Sequence, residues 1–375
     1  TASMIAAMAT ADGRRTGLHT SPHLMHVAER MRVDGAPAPE AWLAEAVSRY
    51  RADFERVGPS FFEATVALSF RYFAEQRAEL AVVEVGLGGR LDATNVLRPE
   101  LALITNIDLE HTALLGDTLA AIAHEKAGII KPGIPVLTAT HQPEALEAIR
   151  DAAAAQHAPL HVVASEVTVL RAETMLDHSV LDVETPVRRY EELHVGLGGA
   201  HQQQNALLAL RAAELLGIKA DAIRRGLRDV RRLAGLRGRL EVLHRDPLVV
   251  FDVAHNPSGL AATLETLRAT HGGRLRVLLG LMRDKDVEAI ADVLRTAEAR
   301  VTPVALSSAR ALPADELHDR LAARGVDVQP PAPVADAWDA FYRGAEAGDV
   351  LLITGSHQMM EPVLRAGRHA APPSH

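Results

Sequence analysis

Three polar segments of the chain have residue types that could act on a phosphate or a carboxylate. The first, EVGLGGRLDATN (84–95), places Glu84 at the end of an apolar run and follows it with Gly86, Gly88 and Gly89. Glycines let a backbone approach a phosphate or a ring closely, and ligands of parallel sheets bind at the carboxyl ends of strands. Taken alone, the segment is equally compatible with a strand that ends in a glycine-rich turn.

The second and third segments add an imidazole and a lysine. TNIDLEHTALLG (105–116) carries Asp108 and His111 after the next apolar run, and a predicted helix with His124 and Lys126 follows. A carboxylate, an imidazole and a lysine from successive strand ends could share a magnesium ion if the lysine is chemically modified, because an ammonium group has no acceptor for a metal. Taken singly, His111 is explained as a turn histidine and Lys126 as a solvated helix charge.

The elements that would position these segments alternate short apolar runs with helical patterns, which predicts a parallel α/β sheet. A helix over 61–76 places Phe62, Val66, Ser69, Phe70 and Phe73 along one face. A second helix over 202–216 ends at Gly217. The predicted strands are 81–85, 101–107, 135–137 and 161–163.

The second half of the chain predicts two further structures. Residues 168–195 are charged and β-like, which predicts a small accessory sheet, and the Arg/Gly-rich passage after Arg231 predicts a hinge. From Leu248 a new strand–helix alternation predicts a second α/β unit of about 120 residues, an ordinary domain size. The predicted domains are 1–242 and 246–366, and 367–375 is predicted to be a disordered tail.

Composition restricts the class of protein. The net charge of −8 argues against a nucleic-acid partner, since phosphate binding needs a basic face. The sequence contains no run of about 18 apolar residues, the length that would predict a membrane-spanning helix. The chain has no cysteine, which fits a reducing, cytoplasmic location. Its only lysines are Lys126, Lys131, Lys219 and Lys285, so a lysine inside a motif stands out.

Seven motifs together resemble one family. TSPHL (20–24), EVGLGGRLDATN, DLEHTALLG, HEKAGIIKPG, GRLEV, FDVAHNP and TGSHQ occur in the order found in folylpolyglutamate synthases and bifunctional dihydrofolate synthases of the Mur ligase superfamily. The match runs from residue 1 to about 365. It implies a parallel-sheet, P-loop-type ATPase domain followed by a smaller Rossmann-like α/β domain.

The resemblance implies roles for residues of the first domain. By position, Ser21, Glu84, His111 and Lys126 resemble magnesium ligands, with Lys126 carbamylated on its amine. Carbamylation turns a cation into an oxygen ligand and so removes the chemical objection to a lysine. The segments that resemble contacts to the pterin-bearing substrate are Phe62, Glu63, Ala64 and Thr65, and Leu91, Asp92 and Ala93.

Other implied roles concern the nucleotide and glutamate. Asn205, Arg239 and Asp252 resemble ATP contacts. His255, predicted with Lys126 to be catalytic, and Ser356, predicted to bind substrate, resemble glutamate-side residues. The DVAHNP motif is equally explained as an Asx-capped turn in which Asn256-Pro257 starts a helix, and both explanations can hold together.

The implied activity is that of an ATP- and Mg²⁺-dependent ligase that joins L-glutamate to the carboxylate of folate or dihydropteroate through an acyl phosphate. A monomer without a membrane or nucleic-acid partner is expected. Two alternatives stay open. A Mur-type peptidoglycan ligase would carry Glu-x-Ser-Ser where this chain has Glu84-Val85-Gly86-Leu87, and a non-catalytic relative would bind folate or nucleotide without turnover.

One feature of the family is missing from the sequence. The family places a G-x-x-x-x-G-K-[ST] phosphate loop before its first helix, and the dipeptide Gly-Lys does not occur in this chain. Aligned backwards from TSPHL, Thr1 falls just after the end of that loop. The resemblance therefore predicts a chain truncated at its amino end, whose own activity is in doubt.

Overall fold

The computed structural model describes residues 1–346 and 348–369, which form two compact units. Unit 1 comprises Thr1–Glu173, Ser179–Gly196 and His201–Leu236. Unit 2 comprises Thr174–His178, Leu197–Ala200 and the described residues from Arg237 onward. The domain limits drawn from the sequence, 1–242 and 246–366, stay a prediction.

The first part of unit 1 is built around a mixed sheet. Its elements are α1 (Ala2–Ala11), β1 (Thr16–His19), β2 (Met31–Val33), β3 (Ala36–Pro37), α2 (Glu40–Arg49), α3 (Arg51–Val57), α4 (Phe61–Glu75) and β4 (Leu80–Val83). The strand order is β3-β2-β1-β4, with β1 parallel to β4 and antiparallel to β2. Two further short 3-10 helices cover Val27–Arg30 and Ala93–Val96.

Helix α4 matches the helix predicted over 61–76. It begins with a capping box, in which the Ser60 hydroxyl accepts from the Glu63 amide and the Glu63 carboxylate accepts from the Ser60 amide. Val66, Ser69 and Phe73 of the predicted face are buried. The 3.6-residue spacing of apolar side chains therefore identified the face that packs against the sheet.

The second part of unit 1 is a parallel sheet with helical crossovers. Its elements are β5 (Ala102–Ile104), α5 (Thr112–Leu115), α6 (Leu119–Ala127), β6 (Val136–Thr138), α7 (Pro143–Ala155), β7 (Leu160–Val162) and α8 (Val163–Glu166). The strands pair in the order β5-β6-β7, all parallel. Buried side chains such as Ile104, Ile122 and Ile149 fill the core between this sheet and its helices.

The accessory sheet predicted over 168–195 is confirmed. It consists of β8 (Thr168–Thr174), β9 (Ser179–Glu184) and β10 (Arg189–Val195), in the order β10-β9-β8 with β9 and β10 antiparallel. Helices α9 (Ala200–Leu215), α10 (Ala220–Arg228) and α11 (Val230–Ala234) follow. Gly217, the predicted C-cap of α9, has φ +68, a conformation that favours glycine.

A buried ionic network joins α8, α9 and the accessory sheet. Arg211 is 6% exposed, and its guanidinium donates to Glu166 at 2.6 Å and to Glu214 at 3.1 Å. Glu214 also accepts from the Thr185 hydroxyl at 2.7 Å and the Tyr190 hydroxyl at 3.1 Å. Burial, together with the Glu214 carboxylate, raises the pKa of Tyr190, so this hydroxyl stays protonated and keeps donating.

Replacing Arg211 with Met is expected to lower the free energy of unfolding by about 3–5 kcal/mol, because the buried Glu214 carboxylate would lose its cation and Glu166 would keep only its contact with His161. The measurement is the urea midpoint of the full chain. Arg71→Met is the matched control, since the Arg71–Glu75 pair lies on the surface of α4 and should contribute about 0–1 kcal/mol. Equal shifts in the two variants would contradict the prediction.

Unit 2 is an α/β layer with one antiparallel edge. Its elements are β11 (Glu241–Arg245), β12 (Leu248–Phe251), α12 (Pro257–Thr270), β13 (Leu275–Leu279), α13 (Val287–Thr296), β14 (Arg300–Pro303), α14 (Ala314–Ala323), β15 (Asp327–Val328), α15 (Val334–Gly344), β16 (Val350–Thr354) and α16 (Met360–His369). The order is β11-β12-β16-β13-β14-β15, and only the β11–β12 pairing within this described sheet is antiparallel.

The central strands of unit 2 are buried on both faces, as continuous apolar runs predict. Val250, Leu279 and Leu352 are fully buried in its core. Of the predicted tail 367–375, residues 370–375 lie outside the described residues, and α16 extends to His369. Among the described residues, none of the helices is both long and apolar enough to span a membrane.

Candidate active site

Two predicted ligand residues follow neighbouring parallel strands. Ser21 lies just beyond the end of β1, and Glu84 comes directly after β4. The Glu84 amide donates to the His19 carbonyl at 3.0 Å, which extends the β1–β4 ladder by one bond. The Glu84 side chain is exposed and Ser21 is half-buried. Pairing of these strands therefore holds the two residues at the same edge of one sheet.

The glycine-rich loop after β4 is organised by its own aspartate. One carboxylate oxygen of Asp92 accepts from the Gly86 amide at 3.0 Å and the Leu87 amide at 3.1 Å. The other accepts from the Thr94 amide at 2.9 Å and the Thr94 hydroxyl at 2.5 Å. The resemblance assigns Asp92 to the substrate, but its acceptors are occupied inside the loop. The adjacent Leu91, 82% exposed, is the side chain that the loop presents outward.

Asp92→Ala is expected to loosen this loop, because three backbone donors, the amides of Gly86, Leu87 and Thr94, would lose their acceptor. Hydrogen exchange of the Gly86 and Leu87 amides should become at least about tenfold faster, while the urea midpoint changes little. Asp117→Ala, which removes an exposed carboxylate, is the control. If exchange over 84–95 is the same in both variants, Asp92 does not organise the loop.

The same loop packs tightly on the end of α6. A Cβ on Gly89 would lie 2.7 Å from the Lys126 carbonyl oxygen, and one on Gly128 would lie 2.4 Å from the Arg90 Cβ. The Arg90 amide donates to the Glu125 carbonyl at 2.9 Å, and the Arg90 guanidinium pairs with the Glu125 carboxylate. Glycine at 89 and 128 is thus required by contact between protein segments, whereas the sequence suggested approach of a phosphate.

Lys126 is half-buried beside this loop. Burial lowers the pKa of its amine, and the nearby Glu110 carboxylate opposes that change. His111, the next residue after Glu110, has φ +55 and precedes α5 with an exposed side chain. A Cβ on Gly88 would touch the Leu115 side chain at 3.0 Å. The loop after β4, the segment after β5 and the end of α6 therefore converge.

The residues predicted to hold magnesium suit that ion chemically. Across residues 1–346 and 348–369, no group of three or more His, Cys, Asp or Glu is placed to hold a metal. The predicted set relies instead on the Ser21 hydroxyl, the Glu84 carboxylate, His111 and a carbamylated Lys126. Mg²⁺ prefers oxygen ligands, and the lowered pKa of Lys126 favours the neutral amine that reacts with carbon dioxide. Their role as ligands stays a prediction.

The start of α4 meets the glycine-rich loop through Phe62. A Cβ on Gly86 would lie 2.4 Å from the Phe62 ring, and the Phe62 and His19 rings contact edge to face with centroids 5.9 Å apart. The Thr65 hydroxyl is buried and donates to the Phe62 carbonyl at 2.9 Å. Of the predicted substrate contacts in this segment, Phe62 faces the loop, while Thr65 serves the helix.

Glu63 and Ala64 have less direct roles. Hydrogen bonding to Ser60 lowers the pKa of the exposed Glu63 carboxyl, which acts as a helix cap. Ala64 is half-buried, as is Ala93, which begins the short 3-10 helix after Asp92. None of these three side chains is oriented by a contact that indicates a ligand.

His19 was not singled out from the sequence, yet it lies at this edge with 0% exposure. The Ser69 hydroxyl donates to the Thr65 carbonyl at 2.8 Å, so its oxygen accepts from Nδ1 of His19 at 2.8 Å. This assigns the proton to Nδ1. Burial, then the Arg30 charge, lowers the pKa of His19 to about 4, against opposing effects of Asp92 and the Arg30 carbonyl. The neutral imidazole of His19, held by Ser69, thus packs against the Phe62 ring.

Apolar side chains on these converging segments are exposed. Phe61 is 60% exposed beside Phe62, and Leu91 projects from the loop after β4. Leu109 and Leu114 flank His111 and are also more than half exposed. Exposed apolar side chains grouped on one functional edge indicate a surface that binds an apolar or aromatic ligand.

In unit 2, Asp252 links two motifs by backbone hydrogen bonds. It is 4% exposed, and its carboxylate oxygens accept from the Leu240 amide at 2.7 Å and the Ala254 amide at 2.8 Å. The predicted nucleotide role of Asp252 thus coexists with a structural one, because GRLEV and FDVAHNP are held together by it. Arg239, next to Leu240, is exposed, and its guanidinium donates to the Gly238 carbonyl at 3.3 Å.

The end of β12 presents an imidazole. Nδ1 of the exposed His255 lies 3.0 Å from the Val253 carbonyl oxygen, a contact in which Nδ1 carries a proton and donates. Asn256 accepts from the Gly259 amide at 2.8 Å and Pro257 begins α12, so the Asx-capped explanation of DVAHNP is confirmed. Ser356, buried after β16, accepts from the Gln358 amide at 3.2 Å.

Asn205 lies on α9 in unit 1. Its carbonyl oxygen accepts from the Thr1 hydroxyl at 2.9 Å, and its amide donates to Gln202 at 3.3 Å. Its predicted contact with adenine stays a prediction, as do the roles of Arg239, Asp252, His255 and Ser356.

Comparison with known proteins identifies the class. Residues 58–213 match the family model of the Mur ligase middle domain, and residues 238–357 match that of the Mur ligase glutamate ligase domain. A dihydrofolate synthase/folylpolyglutamate synthase of Bacillus subtilis is 35% identical over 334 residues, which cover 85% of this chain and 76% of that protein.

Solved structures agree with this match. Folylpolyglutamate synthase of Mycobacterium tuberculosis, complexed with ADP, superposes with a TM-score of 0.87 at 31% identity, over 100% of this chain and 88% of that one. FolC of Escherichia coli, in complex with DHPP and ADP, gives a TM-score of 0.87 at 28% identity, over 98% of this chain and 86% of that one.

The two matched domains place the chain among the ATP-dependent ligases of the Mur type. The alternative of a peptidoglycan ligase has no support among these relatives. The chain belongs to the folylpolyglutamate synthase/dihydrofolate synthase family. ATP and magnesium are accordingly its cofactors, and its substrates are small molecules.

Proposed function

We propose that this chain joins L-glutamate to the carboxylate of dihydropteroate or of folate, with ATP as the energy source. The observation that carries the proposal is the packing of the loop that follows Glu84 against the end of α6 with its half-buried Lys126, while exposed apolar side chains such as Leu91 project from the same loop. An apolar surface beside charged groups suits an acid whose body is a flat aromatic system. The DHPP and ADP carried by the Escherichia coli relative support the same substrates.

The reaction has two steps. A carboxylate oxygen of the acid attacks the γ-phosphorus of ATP and ADP leaves, which gives an acyl phosphate. The amino group of glutamate then attacks the acyl carbon, and phosphate leaves as the amide forms. Phosphoryl transfer depends mainly on alignment and on charge stabilisation, so the groups that neutralise oxyanions dominate catalysis.

This chain's residues divide the work. Ser21, Glu84, His111 and carbamylated Lys126 would hold magnesium, which neutralises phosphoryl oxygens when bound. Asn205, Arg239 and Asp252 would hold the nucleotide. Glutamate must lose a proton from its ammonium before it attacks, and the imidazole of His255, whose Nδ1 donates to the Val253 carbonyl, would take that proton on Nε2. Ser356 would help to place the glutamate.

Other expectations drawn from the sequence stay proposals. These are the monomeric state, the cytoplasmic location and the lack of a nucleic-acid partner. Whether the chain prefers dihydropteroate, folates or both also belongs here, because relatives with either name match it. A non-catalytic role is the second candidate. Measured turnover of the substrates by this chain would exclude it.

The test incubates the chain with ATP, Mg²⁺ and labelled glutamate, together with dihydropteroate, tetrahydrofolate or a muramoyl-peptide acceptor. We expect a glutamyl amide from the first two acceptors, with one ADP released for each amide formed. Product only from the muramoyl acceptor would contradict the proposal. Tight binding of the pterin acids without any ADP release would instead support a non-catalytic relative.

A further inference from the structure

Arg30 is a buried cation without a carboxylate. The residue is 8% exposed and is the last residue of the 3-10 helix Val27–Arg30, directly before β2. Among the described residues, the only hydrogen bond of its side chain runs from Nε to Nδ1 of His23 at 2.9 Å. Its pKa is lowered by burial, and no neighbouring acid offsets that effect. Removing a guanidinium from water without a counter-charge is costly, so the arrangement requires an explanation.

Glu29, the acid next to Arg30 in the chain, does not neutralise it. Glu29 accepts from the amides of Leu24 at 3.0 Å, Met25 at 3.2 Å and His26 at 3.1 Å, and so holds the turn after TSPHL. Its carboxylate faces Arg32 at 4.0 Å. The Glu29 charge is therefore committed to the backbone and to another arginine.

Other neighbours of Arg30 are neutral. The guanidinium lies over the Phe61 ring, 5.2 Å from its centroid. His23 accepts from the Arg30 Nε through its Nδ1, so that nitrogen carries no proton. A positive charge with an aromatic wall and an imidazole that only accepts from it is the environment that an anion would complete.

The guanidinium is within reach of a ligand. Neither terminal nitrogen of the guanidinium is both fully buried and without a hydrogen-bond partner. The Arg30 carbonyl accepts from the Thr20 amide at 3.1 Å, which fixes Arg30 beside the residue that precedes Ser21. Arg30 thus belongs to the same edge of the sheet as Ser21 and Glu84.

From this geometry we propose that the Arg30 guanidinium binds the carboxylate of the aromatic acid substrate. The Phe61 ring would pack against the aromatic ring that carries this carboxylate. The assignment rests on the proposed function. The exposed ring of Phe61 suits the flat body of that acid, whereas a nucleotide phosphate would not need an apolar wall. A planar guanidinium also binds a carboxylate through two parallel hydrogen bonds, which would orient the oxygen that attacks ATP.

The test compares two ligands and three proteins by calorimetric titration of the full chain with ADP and Mg²⁺ present. For dihydropteroate, we expect Arg30→Met to raise the Kd about 10–100-fold, and Arg30→Lys to fall between it and the wild type. For the methyl ester of dihydropteroate, which lacks the negative charge, the wild type and Arg30→Met should bind equally. The Kd for ADP should stay within about twofold.

Stability provides an independent readout. Arg30→Met removes an uncompensated buried charge, so the thermal midpoint should rise by about 2 °C. Arg32→Met, two residues further along the chain, is the matched control, because Arg32 faces Glu29 and donates to the Gly35 carbonyl at 3.1 Å. Its midpoint should fall, and its Kd for dihydropteroate should not change.

Several outcomes would overturn the assignment. If Arg30→Met raises the Kd of the acid and of its ester equally, Arg30 acts only through Phe61. Weaker binding of ADP with unchanged binding of the acid would assign Arg30 to the nucleotide. A lower thermal midpoint for Arg30→Met would make the residue structural. If the wild type binds neither dihydropteroate nor its ester, the proposed function itself fails.

Discussion

Glu84→Gln is expected to lower kcat by about a thousandfold or more while the protein stays folded. Glutamine keeps the size of the side chain but loses the negative charge that a magnesium ligand supplies. Folding should persist because the link between Glu84 and β1 is made by its backbone amide, and its side chain is exposed. The measurement is the rate of ADP release at saturating ATP, glutamate and dihydropteroate over a series of magnesium concentrations.

The control is Glu144→Gln, which removes an exposed carboxylate from the first turn of α7. It should leave kcat and the magnesium dependence unchanged. The urea midpoints of both variants should match that of the wild type. Normal turnover of Glu84→Gln at saturating magnesium would remove this residue from the set of ligands.

Regular elements of the fold could be predicted because periodic patterns report burial. Helix α4 begins at the predicted Phe61 and ends at Glu75, one residue before the predicted end. The strand predicted over 101–107 is shorter, since only Ala102–Ile104 pairs with β6. The short strand Thr16–His19 was missed: all four residues are buried, so no alternation marks it. Gly17 of that strand packs against the Phe73 ring, a contact that only the folded chain reveals.

The site was predicted at the level of segments, and its individual side chains proved harder to interpret. A carboxylate that follows a strand can hold a ligand or a nearby backbone amide, and the sequence looks the same in both cases. Asp92 and Asp252 both turn out to accept from backbone amides. Their contacts inside the protein leave the substrate and nucleotide roles to be measured.

Residues without a motif could not be found at all from the sequence. The chain has 40 lysines and arginines, of which four are lysine and 36 are arginine. Nothing in the sequence around Arg30 distinguishes it from the other arginines. Its lack of a counter-charge depends on where Glu29 points, which the turn after TSPHL decides. Glu110 is recognised only because it lies close enough to Lys126 to affect its pKa.

Lys126→Ala is expected to abolish most activity, and small carboxylates should restore part of it. Carbon dioxide adds only to a neutral amine, and burial lowers the pKa of Lys126, so more of its amine is neutral at a given pH than in an exposed lysine. Carbamylation should rise as the pH rises, and for Lys126 it should do so at lower pH than for a lysine of ordinary pKa. Alanine leaves a space in which formate or acetate can supply the missing oxygen ligand, so turnover should recover with their concentration.

A spectroscopic measurement separates the carbamate from mere importance of the residue. In ¹³C-bicarbonate, the wild type should show a carbamate signal that Lys126→Ala lacks and Lys219→Ala, at an exposed position in the same unit, retains. Lys131 is a poorer control than its sequence suggests, because its amine donates to the Asn95 carbonyl at 2.8 Å and so supports the end of the loop after β4. A folded Lys126→Ala protein that no carboxylate rescues, with no carbamate signal in the wild type, would exclude the modified lysine as a ligand. Full activity of Lys126→Ala without added carboxylate would make Lys126 an ordinary half-buried helix charge. The proposed magnesium site would then not need a ligand from this residue.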